Sequence, residues 1–171
     1  MQPIQSFIAI VDRFTDSFGR LLAWLAILMM LAMASVVVLR YGLQIGSIAL
    51  QESITYMHAC LFMLGLAYTL KHNGHVRVDI FYQHFSPRQR AWVNSLGGII
   101  FLLPLCLFIV GISWDFVSQS WSVREVSAEP GGIPAVFLLK TLLPIMAINL
   151  SIQGLTEILR NALVLISRDL E

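Results

Sequence analysis

Charged residues are almost absent from four long stretches of this chain. Leu21–Leu39, Ser53–Leu70 and Ala91–Trp114 contain no Asp, Glu, Lys or Arg. Thr141–Thr156 is equally free of them, and its apolar run extends back through Lys140 to Ile133. An α-helix rises about 1.5 Å per residue, so about 20 apolar residues cross a hydrocarbon core about 30 Å thick. Lipid offers no partner to backbone N–H and C=O groups, so such stretches close their hydrogen bonds internally as helices. The pattern predicts an all-α integral membrane protein with four transmembrane helices, at about 21–40, 53–70, 88–114 and 135–158. These form a single membrane domain over residues 1–171.

The segment before the first span has a different pattern. Ile4, Phe7, Ile8, Val11, Phe14 and Phe18 recur at helical spacing, with Gln5, Asp12, Arg13, Asp16 and Arg20 on the other face. At 100° per residue the apolar set covers an arc of about 120°. An amphipathic helix over 3–20 is expected to lie in the membrane interface, with Phe7, Phe14 and Phe18 among the acyl chains. Ala32-Met33-Ala34 has the form of a signal-peptide cleavage site. The apolar run continues through Val36–Leu39, however, so this stretch reads as a span.

Between the spans the punctuation is chemical. Arg40-Tyr41-Gly42 closes the first span at an interface, and His72-Asn73-Gly74 reads as a turn in which Asn accepts left-handed backbone. The loop that follows, through Phe85, is expected to be a short interfacial segment. Ser86-Pro87-Arg88-Gln89 has the form of a capping box with Pro at the first helical position. Trp92 and Trp114 stand about 33 Å apart along a helix, which places them as anchors at the two aromatic belts. Pro104 should kink its span and Pro144 should bend the last one. Pro130-Gly131-Gly132 forces a turn. Gly65/Thr69 and Ala147/Ser151 are small-residue pairs where helices could approach.

Composition sharpens this picture. Of 171 residues 57% are hydrophobic and 12% charged, which excludes an ordinary soluble enzyme domain, and a net charge of +1 points to no nucleic-acid partner. With the N-terminus inside, Arg13, Arg20, Lys71, Arg77, Arg88, Arg90, Arg160 and Arg168 are cytoplasmic, eight of the eleven basic residues. The positive-inside rule therefore places both termini in the cytoplasm. Cys60 and Cys106 lie at similar depth, so a bridge is open to them, but two buried small apolar side chains is the favoured reading.

Candidate chemistry is sparse. Only His58 of the four histidines lies within a span, whereas a membrane cytochrome needs paired axial histidines on facing helices. A haem- or quinone-dependent electron-transfer subunit is the alternative kept in view. No catalytic, cofactor-binding or metal residue is assigned. Lys140 is the one cation well inside an apolar stretch, and pairing with Glu52, Asp115 or a partner subunit is its expected role. Glu52 opens the second span, where the helix dipole favours a carboxylate. Trp121–Pro134 is chemically dense for a connector, carrying Arg124, Glu125, Glu129 and a Pro-Gly-Gly-x-Pro hinge. It suits docking of another protein. No span carries a central Asp, Glu or Arg, and none is broken around a polar site as in secondary transporters. The chain reads as a packing body rather than a carrier.

Three local motifs carry a family resemblance across essentially the full length. They are Arg40-Tyr41 followed by Gln51-Glu52, then Gly74-His75-Val76-Arg77-Val78-Asp79, and then Trp121 with Glu125–Pro134 and Lys140 beyond. With them the chain resembles the small membrane subunit of a TRAP (tripartite ATP-independent periplasmic) transporter, and the third motif looks like the mannitol/chloroaromatic-type branch. Many members of the family carry Trp-Glu-Glu before the second span, where this chain has Leu50-Gln51-Glu52. The resemblance implies a non-catalytic subunit of a bacterial inner-membrane, sodium-coupled importer of an organic acid. Its implied partners are a large membrane subunit, whose scaffold it braces, and a periplasmic solute-binding protein. By the same resemblance Glu52, Arg124, Glu125, Glu129 and Lys140 are the candidate docking residues.

Overall fold

The computed structural model describes residues 2–75 and 82–167, and among them every regular element is helical. Helix α1 is Gln2–Val37, and it runs on through a wide π-type turn at Val38–Gly42. Together they make 41 residues of unbroken helix, about 62 Å long. The boundary expected between an interfacial helix at 3–20 and a span starting at 21 is absent. The reason is a seam. Ile8, Val11, Thr15, Phe18, Leu22, Leu25, Met29, Ala32, Val36 and Leu39 follow one another in alternating steps of three and four, and all are buried or half-buried. That is the spacing of a helix packed lengthwise against a neighbour, and it passes Arg20 without losing register. The segment is helical and amphipathic as expected, but it is collinear with the span instead of lying across the interface.

Helix α2, Ile48–Lys71, starts at Ser47, whose hydroxyl accepts from the Leu50 N–H. It ends where expected. Asn73 takes a left-handed φ of 52°, and the N–H groups of Asn73 and Gly74 return to the carbonyls of Leu70 and Thr69. Helix α3, Pro87–Gly97, opens on the expected capping box: Ser86 and Gln89 each satisfy the other's backbone N–H. A second wide turn, Gly98–Leu102, joins α3 to helix α4, Leu103–Ser122. The disturbance expected at Pro104 takes this form. Proline has no N–H for the carbonyl one turn back and its ring crowds that carbonyl, so the preceding turn widens. Helix α5, Val136–Ser167, carries Pro144 without interruption. The expected stretch 76–81, including the Val76–Asp79 part of the second motif, and Arg168 lie outside the described residues.

The helices do not close into a ring. Helix α5 is the hub and touches α1, α2, α3 and α4; α1 packs chiefly on α2. Among the described residues the α3–α4 span packs chiefly on α5, and at the basal end a cavity lies between it and the end of α2. The span's contact face is a stripe of small residues, Ala91, Ser95, Cys106, Ser113 and Ser120, all buried, which lets the helices approach closely. Its other face is exposed and apolar, from Trp92 through Phe101 and Phe108 to Trp114. Ala147 is fully buried on α5, but a side chain on Gly65 would meet nothing, so Gly65/Thr69 is not a close-approach point. Tyr68 lies against Gly19, Ile158 against Gly98 and Leu102 against Gly154 instead. Both cysteines are free.

Candidate functional site

The charges absent from the spans gather at the two ends of the bundle. The basal end holds groups from three helices. Thr15 Oγ1 of α1 donates to Gln153 Oε1 of α5 at 2.8 Å, and Gln153, with no exposed surface, donates onward to Glu157 at 3.1 Å. Glu157 accepts from Arg160 Nε at 3.2 Å, and Arg160 reaches back to α1, its Nη2 donating to both Asp12 oxygens at 2.7 and 2.9 Å. Lys71, last residue of α2, donates to the Asp12 carbonyl at 3.0 Å and pairs with Asp16 at 2.6 Å. His72 Nε2 lies 3.0 Å from the other Asp16 oxygen. The chain of contacts runs from Thr15 to His72 and ties α1, α2 and α5 together.

The apical end is built differently. Glu52, in the second turn of α2, accepts from Ser127 Oγ and, at 2.6 Å, from the Ile133 N–H. One carboxylate thus spans the loop between α4 and α5. Glu125 pairs with Lys140 at 2.5 Å, and the Lys140 ammonium also sits 4.1 Å from the centre of the Phe116 ring. The ammonium beside it holds the Glu125 carboxyl below its ordinary value. Trp121 donates its indole N–H to Thr141 Oγ1 at 2.8 Å and meets Phe137 edge-on at 4.8 Å. The expected turn at Pro130–Gly132 is present, with Gly131 at φ 83°.

Helix α4 closes at Arg124, whose φ of 46° is left-handed. The Arg124 and Glu125 N–H groups bond to the Trp121 and Ser120 carbonyls, the pattern usually built on glycine. Arg124 and Glu129 are both exposed. The five candidate docking residues therefore divide. Glu52, Glu125 and Lys140 turn inward to shape the loop, while Arg124 and Glu129 stand on its surface. Lys140 was expected to pair with Glu52, Asp115 or a partner; its partner is Glu125, brought within reach because the chain reverses after Ser122.

Glu52 and Lys71 are separated by 19 residues on α2 and Lys140 and Arg160 by 20 on α5, about 28 and 30 Å along a helix, the thickness of a hydrocarbon core. Of the expected anchors, Trp92 and Trp114 are exposed near opposite ends of the α3–α4 span. Phe7 and Phe14 are exposed on α1, with Phe18 stacked 5.6 Å from Phe14. The basal residues were not singled out from the sequence. The available signal was the position of Asp12 and Asp16 beside the α1 seam, with Glu157 and Arg160 three apart on α5.

Four helices able to cross a membrane, with their charges held in two layers a bilayer's thickness apart, define a multi-pass membrane protein of the helical-bundle class. The chain belongs to the DctQ family: the model described as Tripartite ATP-independent periplasmic transporters, DctQ component, matches residues 29–163. It is thus the small membrane subunit of a TRAP transporter, and the match is to the family as a whole. Membership in a transporter family takes the place of the electron-transfer alternative. Comparisons with curated proteins and with solved structures find no match.

Proposed function

We propose that this chain is a non-catalytic brace in a sodium-coupled importer of an organic acid, set in the bacterial inner membrane. The large membrane subunit binds and moves the solute. This subunit packs against its static scaffold and, through the apical loop, helps seat the periplasmic solute-binding protein. The basal layer faces the cytoplasm with both termini, which keeps most of the basic residues inside. Phe7, Phe14, Phe18, Trp92 and Trp114 meet lipid or the companion subunit near the interfaces.

One observation carries the reading. The inward-facing charges, Asp12, Asp16, Lys71, Glu157 and Arg160 at one end and Glu52, Glu125 and Lys140 at the other, are bound to one another or to backbone and side-chain donors of this chain. A carrier site presents unsatisfied polar groups to its solute near the midplane. Among the described residues a neutral hydrogen bond, from Asn149 to the Leu64 carbonyl, joins two helices near the midplane, and the buried polar atoms without a partner are the neutral hydroxyls of Tyr56, Ser95 and Ser120. The apical loop, by contrast, is held in one shape with a cation and an anion facing outward.

The test is purification of the tagged full-length chain from native membranes in mild detergent. A much larger multi-pass protein should accompany it in constant ratio, and uptake of the organic acid should be lost when the chain is deleted. A chain that purifies alone, with uptake intact after its deletion, would overturn the proposal.

A further inference from the structure

Where α2 and α3 diverge at the basal end, a cavity of about 260 Å³ opens against α5. Its deeper wall is apolar and short of side chains, formed by Gly97, Gly98 and Gly154 with Leu102 and Ile158. Its mouth is polar, with Asn73, Asn94, Glu157 and Asn161. The mouth lies at the level of the basal layer, where a bilayer changes from hydrocarbon to headgroups. Above it the α3–α4 span packs chiefly on α5, which leaves its α2-facing side for acyl chains. The volume falls below the ~300 Å³ at which sites begin to enclose a drug-sized ligand, so the cavity suits a headgroup and the start of a chain.

The charge at the mouth selects among headgroups. Glu157 is the charged residue of the lining; its carboxylate accepts from Gln153 and Arg160, and a carboxylate has about four acceptor sites, so it keeps acceptor capacity toward the cavity. Asn161 gives one of its two amide N–H groups to the Glu157 carbonyl at 2.8 Å, which holds the amide in place with its carbonyl oxygen available as an acceptor. A carboxylate and an amide oxygen side by side suit a compact ammonium with several N–H donors. Arg90 stands one turn basal to Asn94. It donates to the Phe85 and Gln83 carbonyls at 3.0 and 2.9 Å, which uses two of its five N–H groups and leaves donors for a phosphate.

We propose that this cavity is a lipid site for a phospholipid with a primary-ammonium headgroup, of the phosphatidylethanolamine class. The ammonium rests between Glu157 and Asn161, the phosphate lies toward Arg90, and the acyl chains follow the α2-facing side of the α3–α4 span. Phosphatidylcholine, whose quaternary ammonium has no N–H to donate, and phosphatidylglycerol, which is anionic, fit less well. The site does not depend on the transporter reading.

Native mass spectrometry of the full-length chain, purified with whatever membrane proteins accompany it, tests this with added phosphatidylethanolamine, phosphatidylcholine and phosphatidylglycerol. The wild type should retain about one phosphatidylethanolamine per chain, preferred at least about fivefold over the other two, a ratio within reach of a charge-assisted hydrogen bond. Gly97→Leu projects into open space and replaces glycine by a better helix former. It should abolish retention without lowering the melting temperature. Glu157→Gln should erase the preference among headgroups. Equal retention of all three lipids by the wild type, undiminished retention by Gly97→Leu, or a companion polypeptide seated in the cavity would each overturn the proposal.

Discussion

The two ends of this bundle spend their charges in opposite ways. At the basal end the partners come from distant parts of the chain: Asp12 meets Arg160, and Asp16 meets Lys71. Each such contact joins two helices, so the layer fixes where α1, α2 and α5 stand relative to one another. At the apical end Glu125 and Lys140 are 15 residues apart, and Glu52, though 75 and 81 positions from Ser127 and Ile133, fastens that loop to α2 instead of pairing with a charge on another helix. Those contacts set the shape of a connector and leave Arg124 and Glu129 outside it. One end holds the body together, and the other gives a loop a fixed form.

If this division is right, the largest loss of stability comes from the basal end. Arg160→Ala removes the partner of Asp12 and Glu157, whose side chains are 19 and 24% exposed. Breaking a fully buried pair costs about 3–5 kcal/mol. Arg160 is itself 42% exposed, so solvent screening reduces the expectation to about 1–3 kcal/mol. Thermal unfolding in detergent should show a clear fall in midpoint, and a double-mutant cycle with Asp12→Ala should show that the two losses do not add.

Glu52→Gln acts on the loop and not on the body. It replaces the carboxylate that accepts from Ser127 and Ile133, weakening contacts worth about 1.5 kcal/mol when charge-assisted. Hydrogen exchange at the Ile133 amide should accelerate about tenfold, with the unfolding midpoint little changed. A global loss equal to that of Arg160→Ala would erase the distinction between the ends.

A smaller effect follows from pH. The Glu125 carboxyl is depressed by Lys140 in the folded state, so its pairing contributes above the ordinary carboxylate range and is lost as pH falls through the folded value. The Trp121 indole resonance should hold steady from neutral pH through the ordinary carboxylate range and shift only below it. Lys140→Met should move that transition up toward the ordinary carboxylate value.

The smallest effect on folding is of opposite sign. Left-handed backbone at a non-glycine residue costs about 1–2 kcal/mol, so Arg124→Gly should stabilise the helix end by up to about 1 kcal/mol. If Arg124 contributes to docking, the same change weakens the seating of the solute-binding protein in a pull-down from native membranes. Seating that is unchanged would assign Arg124 no role there.

How much of this was legible in the chain differs by region for physical reasons. The four spans were readable because lipid forbids charge, and a gap in charge shows in one dimension. The capping box at Ser86 and the left-handed turn at Asn73 were readable because both are local. The continuity of α1 was not, because Asp12, Arg13, Asp16 and Arg20 interrupt the apolar pattern and draw the eye from a seam of period 3.5. The interhelical pairings of the basal layer were not legible, because they join residues 55 to 148 apart, and no spacing along a sequence records which helix will lie beside which. The apical residues stood out by their density, yet their inward direction depends on reversals at Arg124 and Gly131 that only the fold displays.

The claim that the apical end presents while the basal end holds is tested most directly by site-specific photo-crosslinking in native membranes. A photoreactive residue at position 129, on the apical loop, should give adducts with a soluble periplasmic protein, and the same residue at position 84, at the basal end, should give none. Equal labelling of that protein from both positions, or no labelling from 129, would contradict the account.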